Sequence, residues 1–140
     1  MAGRSALNRG AYVDAALEVI AEVGVDKLSM RNVASRLSVS PMAMYKHFPT
    51  KDDLLAASLE EFIARANVVP DTTLPWEQWV EHAAAGMYEA LCRELSWVPL
   101  LGSLRVGEQA ITVTEAFVTR LCEAGFTVEQ ALQAYFAVIQ

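Results

Sequence analysis

Seven of the eleven basic side chains of this 140-residue chain fall within its first 51 residues: Arg4, Arg9, Lys27, Arg31, Arg36, Lys46 and Lys51. Four acids accompany them, Asp14, Glu18, Glu22 and Asp26, a local balance of +3. The other 89 residues hold four basic and thirteen acidic side chains, −9, and the whole chain carries −6. Cations gathered at one end suit contact with a polyanion through that end alone. Scatter of solvated surface charge would give the same tally, so charge leaves both readings open. Catalytic chemistry has less to work with. There is no H-E-x-x-H pair, C-x-x-C, G-x-S-x-G or glycine-rich phosphate loop. His82 and Cys92 fall about 80° apart round a helix with no arranged third member. The chain is not expected to be an enzyme, and no cofactor or metal is expected.

Size and composition set further bounds. With 54% hydrophobic and 20% charged residues, the chain excludes a disordered tail. It reads as one domain, or one small domain joined to part of another. No apolar stretch approaches the ~18 residues of a membrane span, and the first residues lack the apolar core of a secretory signal. Cys92 and Cys122 show no partner motif and read as reduced core cysteines of a cytoplasmic protein.

Helical periodicity dominates. Tyr12, Ala15, Ala16, Val19, Ile20 and Val23 follow the three-and-four spacing of one helix face, which Gly24 ends with Val25 packing behind it. Ser29 predicts an N-cap for a two-turn helix bearing Met30, Val33, Ala34 and Leu37. Ser38-Val39 makes a tight turn, with Val39 expected to be buried. Ser40-Pro41 then opens a third helix of about eight residues, ~12 Å long. Pro49 breaks it, and Thr50 with Asp53 has capping-box spacing for a fourth. Residues 68–75 are a connection, and four helical stretches follow. Trp76, Val80, Ala83, Ala84, Met87, Leu91 and Leu95 predict the stripe of a long helix. Ser96 to Leu104 predicts a short one. Glu108 to Ala124 is closed by Gly125-Phe126, and Thr127 with Gln130 caps a last helix that is apolar almost all round. The fold class is all-α.

Two short helices joined by a tight turn and braced by a longer one predict a helix-turn-helix. Ala34 is small where the two would cross, and Met44 and Phe48 would plug the third helix into the core. A helix of that length matches a major groove ~12 Å wide. The last helix meets residue 140 with no stop signal, which predicts a chain cut short of its natural end, its further helices building a dimer interface.

The run from Leu28 to Leu55 resembles the DNA-binding domain of the TetR family of bacterial transcriptional regulators. Its most specific pieces are Met44-Tyr45-Lys46-His47-Phe48, then Lys51, then Leu54-Leu55. The likeness is close over residues 8–64 and looser beyond. It implies phosphate contacts for Ser29, Tyr45, His47 and Lys51, and Lys51 adds a charge to the free N–H groups of a helix N-terminus. Arg31 is the expected base reader, because arginine grips guanine bidentately. Ser40, Pro41 and Met42 open the recognition helix, where base edges are met, and Lys46 is a further phosphate candidate. Ala43 stands where many members have threonine, so specificity is expected to rest on thymine methyls, Arg31 and DNA shape. Arg4 and Arg9 read as a floppy terminus rather than an arm reaching a groove.

The expected organisation is a helix-turn-helix head over residues 1–50 and an antiparallel helical ligand-binding and dimerisation domain over 51–140, linked by the helix from 51. The resemblance implies a pocket for a small, apolar inducer that releases operator DNA from a homodimer. His82, Met87, Trp97, Leu101, Phe117 and Leu121 are its candidates. His82 and Trp97 rank first, since each carries a polar atom that needs a partner when buried. Side chains at helical spacing are more often plain core. The rival reading is an all-α interaction module that binds protein or lipid through its apolar C-terminal half.

Overall fold

The computed structural model describes residues 7–139, which form only helices, turns and connections. Helix α1, Arg9–Val23, starts where Asn8 accepts the Ala11 N–H through its side chain at 2.9 Å. It buries Tyr12, Val13, Ala15, Ala16, Val19 and Ile20. Gly24 ends it at φ +84°, a conformation that a β-carbon would strain, and donates its N–H to the Ile20 carbonyl at 2.8 Å. Val25 is buried in the short 3-10 turn that follows, as its place behind the glycine predicts.

Helix α2, Met30–Arg36, is opened by a reciprocal capping box: Asn32 N–H to Ser29 Oγ at 3.0 Å, and Ser29 N–H to Asn32 Oδ1 at 2.9 Å. At the turn Ser38 takes φ +55°, and Val39 donates to the Ala34 carbonyl at 3.0 Å. Val39 itself is half-buried, not buried as expected. Helix α3 is shorter than the sequence pattern suggests. It spans Pro41–Tyr45, five residues, with Pro41 in its first turn and no capping bond from the Ser40 side chain. Its tail is a turn in which His47 and Phe48 both donate to the Met44 carbonyl at 2.9 Å. Met44 and Phe48 are nonetheless fully enclosed. Helix α4, Lys51–Ala66, opens on the Thr50–Asp53 box and buries Leu54, Leu55, Ser58 and Leu59.

The remaining helices are α5, Trp76–Arg93; α6, Glu108–Glu123; and α7, Val128–Ile139. The chain divides into two compact units. The first runs to Phe62 and includes Glu94–Arg105. That second stretch, a 3-10 helix over Leu95–Leu100 and its tail, lies within the segment that the sequence assigns to the helical domain over 51–140. Its place in the first unit comes from specific contacts. Ser96 Oγ accepts the Val25 N–H at 3.1 Å, the Trp97 ring lies 5.8 Å from that of Phe62, and Arg105 reaches Asp53 at 3.3 Å.

The second unit comprises Ile63–Arg93 and the chain from Val106 onward. Its core is Val68, Trp79, Ala83, Val113, Phe117 and Tyr135, with Trp79 edge-on to Phe117 at 5.0 Å. On α5 the buried residues are Trp79, Ala83 and Ala90. The stripe is therefore rotated from the expected one: Val80 and Met87 pack at its margin, while Leu95 lies beyond α5 and is exposed. Helix α6 closes as its glycine predicts. Gly125 adopts φ +100°, with Phe126 N–H to Leu121 O at 3.1 Å and Gly125 N–H to Cys122 O at 3.0 Å. The Thr127–Gln130 box then opens α7. Cys92 is exposed and Cys122 half-buried, both free thiols, so neither is the core cysteine that composition suggested. No helix among the described residues is long and apolar enough to cross a membrane.

Candidate nucleic-acid interface

The first unit turns its polar and basic side chains outward from α2, α3 and the start of α4. Ser29 sits half-buried at the α2 N-cap, its Oγ already accepting from Asn32. Arg31 follows as an exposed residue of α2, across the helix from the buried Val33. On α3 the burial of Met44 leaves Met42 and Tyr45 exposed, the former at 73%, with Pro41 half-buried and Ser40 exposed just ahead of them. Lys46 and His47 are exposed in the turn after α3, and Lys51 is the exposed first residue of α4.

The cations of this unit are not equivalent. Arg36, in the last turn of α2, pairs with Glu18 at 3.3 Å and with Glu22, two acids of α1. The hydrogen bond from Arg36 holds the Glu22 carboxyl below the usual carboxylate range. The pair braces α2 against α1 and removes both acids as competitors for nearby cations. Among the described residues, Arg31, Lys46 and Lys51 take part in no ion pair. The outward cations and donors therefore face solvent with their charge unspent, the state an incoming polyanion requires.

Arg9 is the residue that sequence reasoning missed. It is not a floppy terminus but the first residue of α1. Its Nη1 donates to the His47 carbonyl at 3.0 Å, and its guanidinium carbon lies 4.3 Å from the centre of the Phe48 ring. Asn8 as N-cap was the available signal: it starts the helix at Arg9 and sets Arg9 on the same face as Tyr12, one turn on. Arg4 lies outside the described residues.

The six ligand candidates divide between the units. Met87 and Phe117 come together in the second: Phe117 belongs to its aromatic core and Met87 packs against that core. Leu121 is buried on α6, and His82 is exposed on α5, so the expectation that His82 is buried and needs a partner does not hold. Trp97 and Leu101 lie in the first unit. Trp97 is fully enclosed and its Nε1 has no hydrogen-bond partner among the described residues, while Leu101 is exposed.

Comparison with known proteins agrees with this geometry. Residues 13–58 match the family model described as bacterial regulatory proteins, tetR family. The chain is 31% identical over 134 residues to the class A tetracycline repressor protein from transposon 1721 of Escherichia coli, a match covering 94% of this chain. It spans 62% of the length of that curated relative. A crystal structure of a TetR variant from Acinetobacter baumannii AYE in complex with minocycline superposes with a TM-score of 0.85 at 32% identity, over 95% of this chain and 75% of that one. TetR from the same strain gives a TM-score of 0.79 at 31% identity, over 94% and 69%. With a matching head, these likenesses through most of both chains and further helices after the head in sequence, the chain belongs to the TetR family of bacterial regulatory proteins.

Proposed function

We propose that this protein is a cytoplasmic, sequence-specific transcriptional regulator, a homodimeric repressor that leaves its operator when a small hydrophobic ligand binds. Residues 1–50 act as the DNA-binding head and 51–140 as the regulatory part. The observation that carries the DNA reading is the set of exposed side chains that form no ion pair among the described residues, Arg31, Lys46 and Lys51, grouped with Tyr45 and His47 on a helix-turn-helix whose other arginine, Arg36, is already neutralised. Tyr45, His47 and Lys51 hold phosphates in this reading, as does the Ser29 hydroxyl, whose hydrogen remains to donate. Arg31 reads a base, and Ser40, Pro41 and Met42 face the groove.

Family membership and the buried Trp97 Nε1, without a hydrogen-bond partner among the described residues, support the ligand half. Minocycline, bound by the Acinetobacter relative, is the first compound to test. A ligand can release DNA by no more than its differential affinity for the two states of the protein. Homodimerisation is supported by α7, which leaves Val128, Phe136, Val138 and Ile139 exposed.

The test is selection of random duplex DNA by the full chain at physiological salt. Enrichment of a palindrome with half-sites about one helical turn apart is expected for a dimer. No enrichment, together with binding that is indifferent to salt, would replace the DNA reading by the apolar interaction module. On the selected site, Tyr45→Ala and Lys51→Ala are expected to weaken binding to all sequences alike with helicity unchanged. Lys51→Ala should also reduce the slope of log K against log salt by about one. Arg31→Ala is expected to cost ~1–3 kcal/mol and to relax preference at one base pair. A uniform loss with preference intact would make Arg31 a phosphate contact instead.

A further inference from the structure

We propose that Arg9 is a positioning residue that sets the orientation of the His47 imidazole for its phosphate, a role that rests on the DNA reading above. The turn carrying His47 has little helix to hold it. Helix α3 stops at Tyr45, and α4 begins only at Lys51. The His47 N–H is secured from behind by the Met44 carbonyl at 2.9 Å. Its carbonyl is secured from across the fold, by Arg9 Nη1 at 3.0 Å.

The guanidinium is itself held. It lies over Phe48, a ring with no exposed surface, at 4.3 Å from the centroid, so the cation stacks on a surface that cannot move away. One turn along the same face of α1, Tyr12 is buried and its ring lies 5.2 Å from the imidazole at 43°. Backbone and ring of His47 are thus fixed by two residues of one helix, Arg9 and Tyr12. The imidazole remains exposed. A side chain held in place before DNA arrives loses less freedom on binding. Arginine suits the task because its planar fork can donate sideways while its face stacks, which a lysine ammonium does less well.

A double-mutant cycle on the full chain separates this role from a direct phosphate contact. Affinity for the selected duplex is measured for wild type, Arg9→Met, His47→Ala and the double variant. Arg9→Met is expected to weaken binding about tenfold, the scale of one charge-assisted contact. In the His47→Ala background the same change is expected to add no more than about twofold, because the two residues act as one unit. In the DNA-free protein, the His47 ring protons lie within reach of the Tyr12 ring current, and their resonances are expected to move in Arg9→Met toward those of a free histidine. Should Arg9→Met melt below the assay temperature, Arg9→Gln, which keeps an N–H for the carbonyl but not the cation, takes its place in the cycle. A tenfold loss that persists undiminished in the His47→Ala background would show that Arg9 touches DNA itself and overturn the proposal. So would unchanged affinity. If wild type selects no duplex, the DNA reading fails, and the His47 resonances alone decide whether Arg9 orients that ring.

Discussion

Phe48→Ala is expected to destabilise the first unit by ~3–5 kcal/mol, the usual cost of emptying a buried phenylalanine site. Phe48 has no exposed surface, meets Tyr12 edge-on at 6.4 Å and carries the Arg9 guanidinium on its face. It is also the anchor of a short helix. Five residues of α3 make too few hydrogen bonds to stand alone, so tertiary packing holds that segment in place. Met44 and Phe48 supply the packing from its inner side. With Phe48 truncated, α3 should lose its orientation and, on the proposed DNA reading, its affinity for duplex DNA. Phe48→Leu keeps most of the volume and is expected to cost about 1 kcal/mol while retaining binding. Urea denaturation followed by far-ultraviolet circular dichroism reads the stability, and anisotropy titration reads the DNA. A Phe48→Ala protein as stable as wild type would mean that the ring is not the anchor its burial indicates.

The second large effect is expected at Trp79. It is the largest side chain of the second core, edge-on to Phe117, with its Nε1 donating to the Pro70 carbonyl at 3.1 Å. Trp79→Ala removes the ring and leaves that carbonyl without its donor, for an expected loss of ~3–5 kcal/mol. Trp79→Phe keeps most of the apolar contact and loses the hydrogen bond, so it is expected to cost about 1–3 kcal/mol. The difference between the two variants separates packing from the polar bond. Equal losses in both would assign the whole effect to the indole N–H.

The helix ends were the most legible part of this chain. Ser29, Thr50 with Asp53, and Thr127 with Gln130 each open a helix as their spacing predicts. Gly24 and Gly125 close helices at positive φ. Capping is a matter of groups three or four residues apart, so the local sequence contains both partners. The head was legible for a further reason. The order of Ala34, Ser38, Met44, Tyr45 and Phe48 within fifteen residues is a packing pattern in itself, and it led to the family that the comparisons then showed. Where local signals had no partner in the sequence window they misled. Ser40-Pro41 reads as a strong helix start, and the helix does start there, but nothing local states that it runs only to Tyr45.

What the sequence could not state were pairings between distant residues. Arg36 looks like one more cation of a basic end until the fold brings α1 alongside α2 and gives it to Glu18 and Glu22. Arg9 looks like a loose terminus until the same packing delivers the His47 carbonyl, 38 residues away, to its guanidinium. Burial behaves likewise. Periodicity finds the apolar side of α5 but not its centre, so Trp79 went unnoticed while His82 and Cys92 were expected to be more enclosed than they are. The sequence alone thus determined the all-helical class, the helix ends and the family of the head, because those rest on contacts within a turn or two of chain. Tertiary structure decided which cations remain free for a partner and which side chains hold the turn around His47, because charge pairing and burial are settled by residues that only folding brings together.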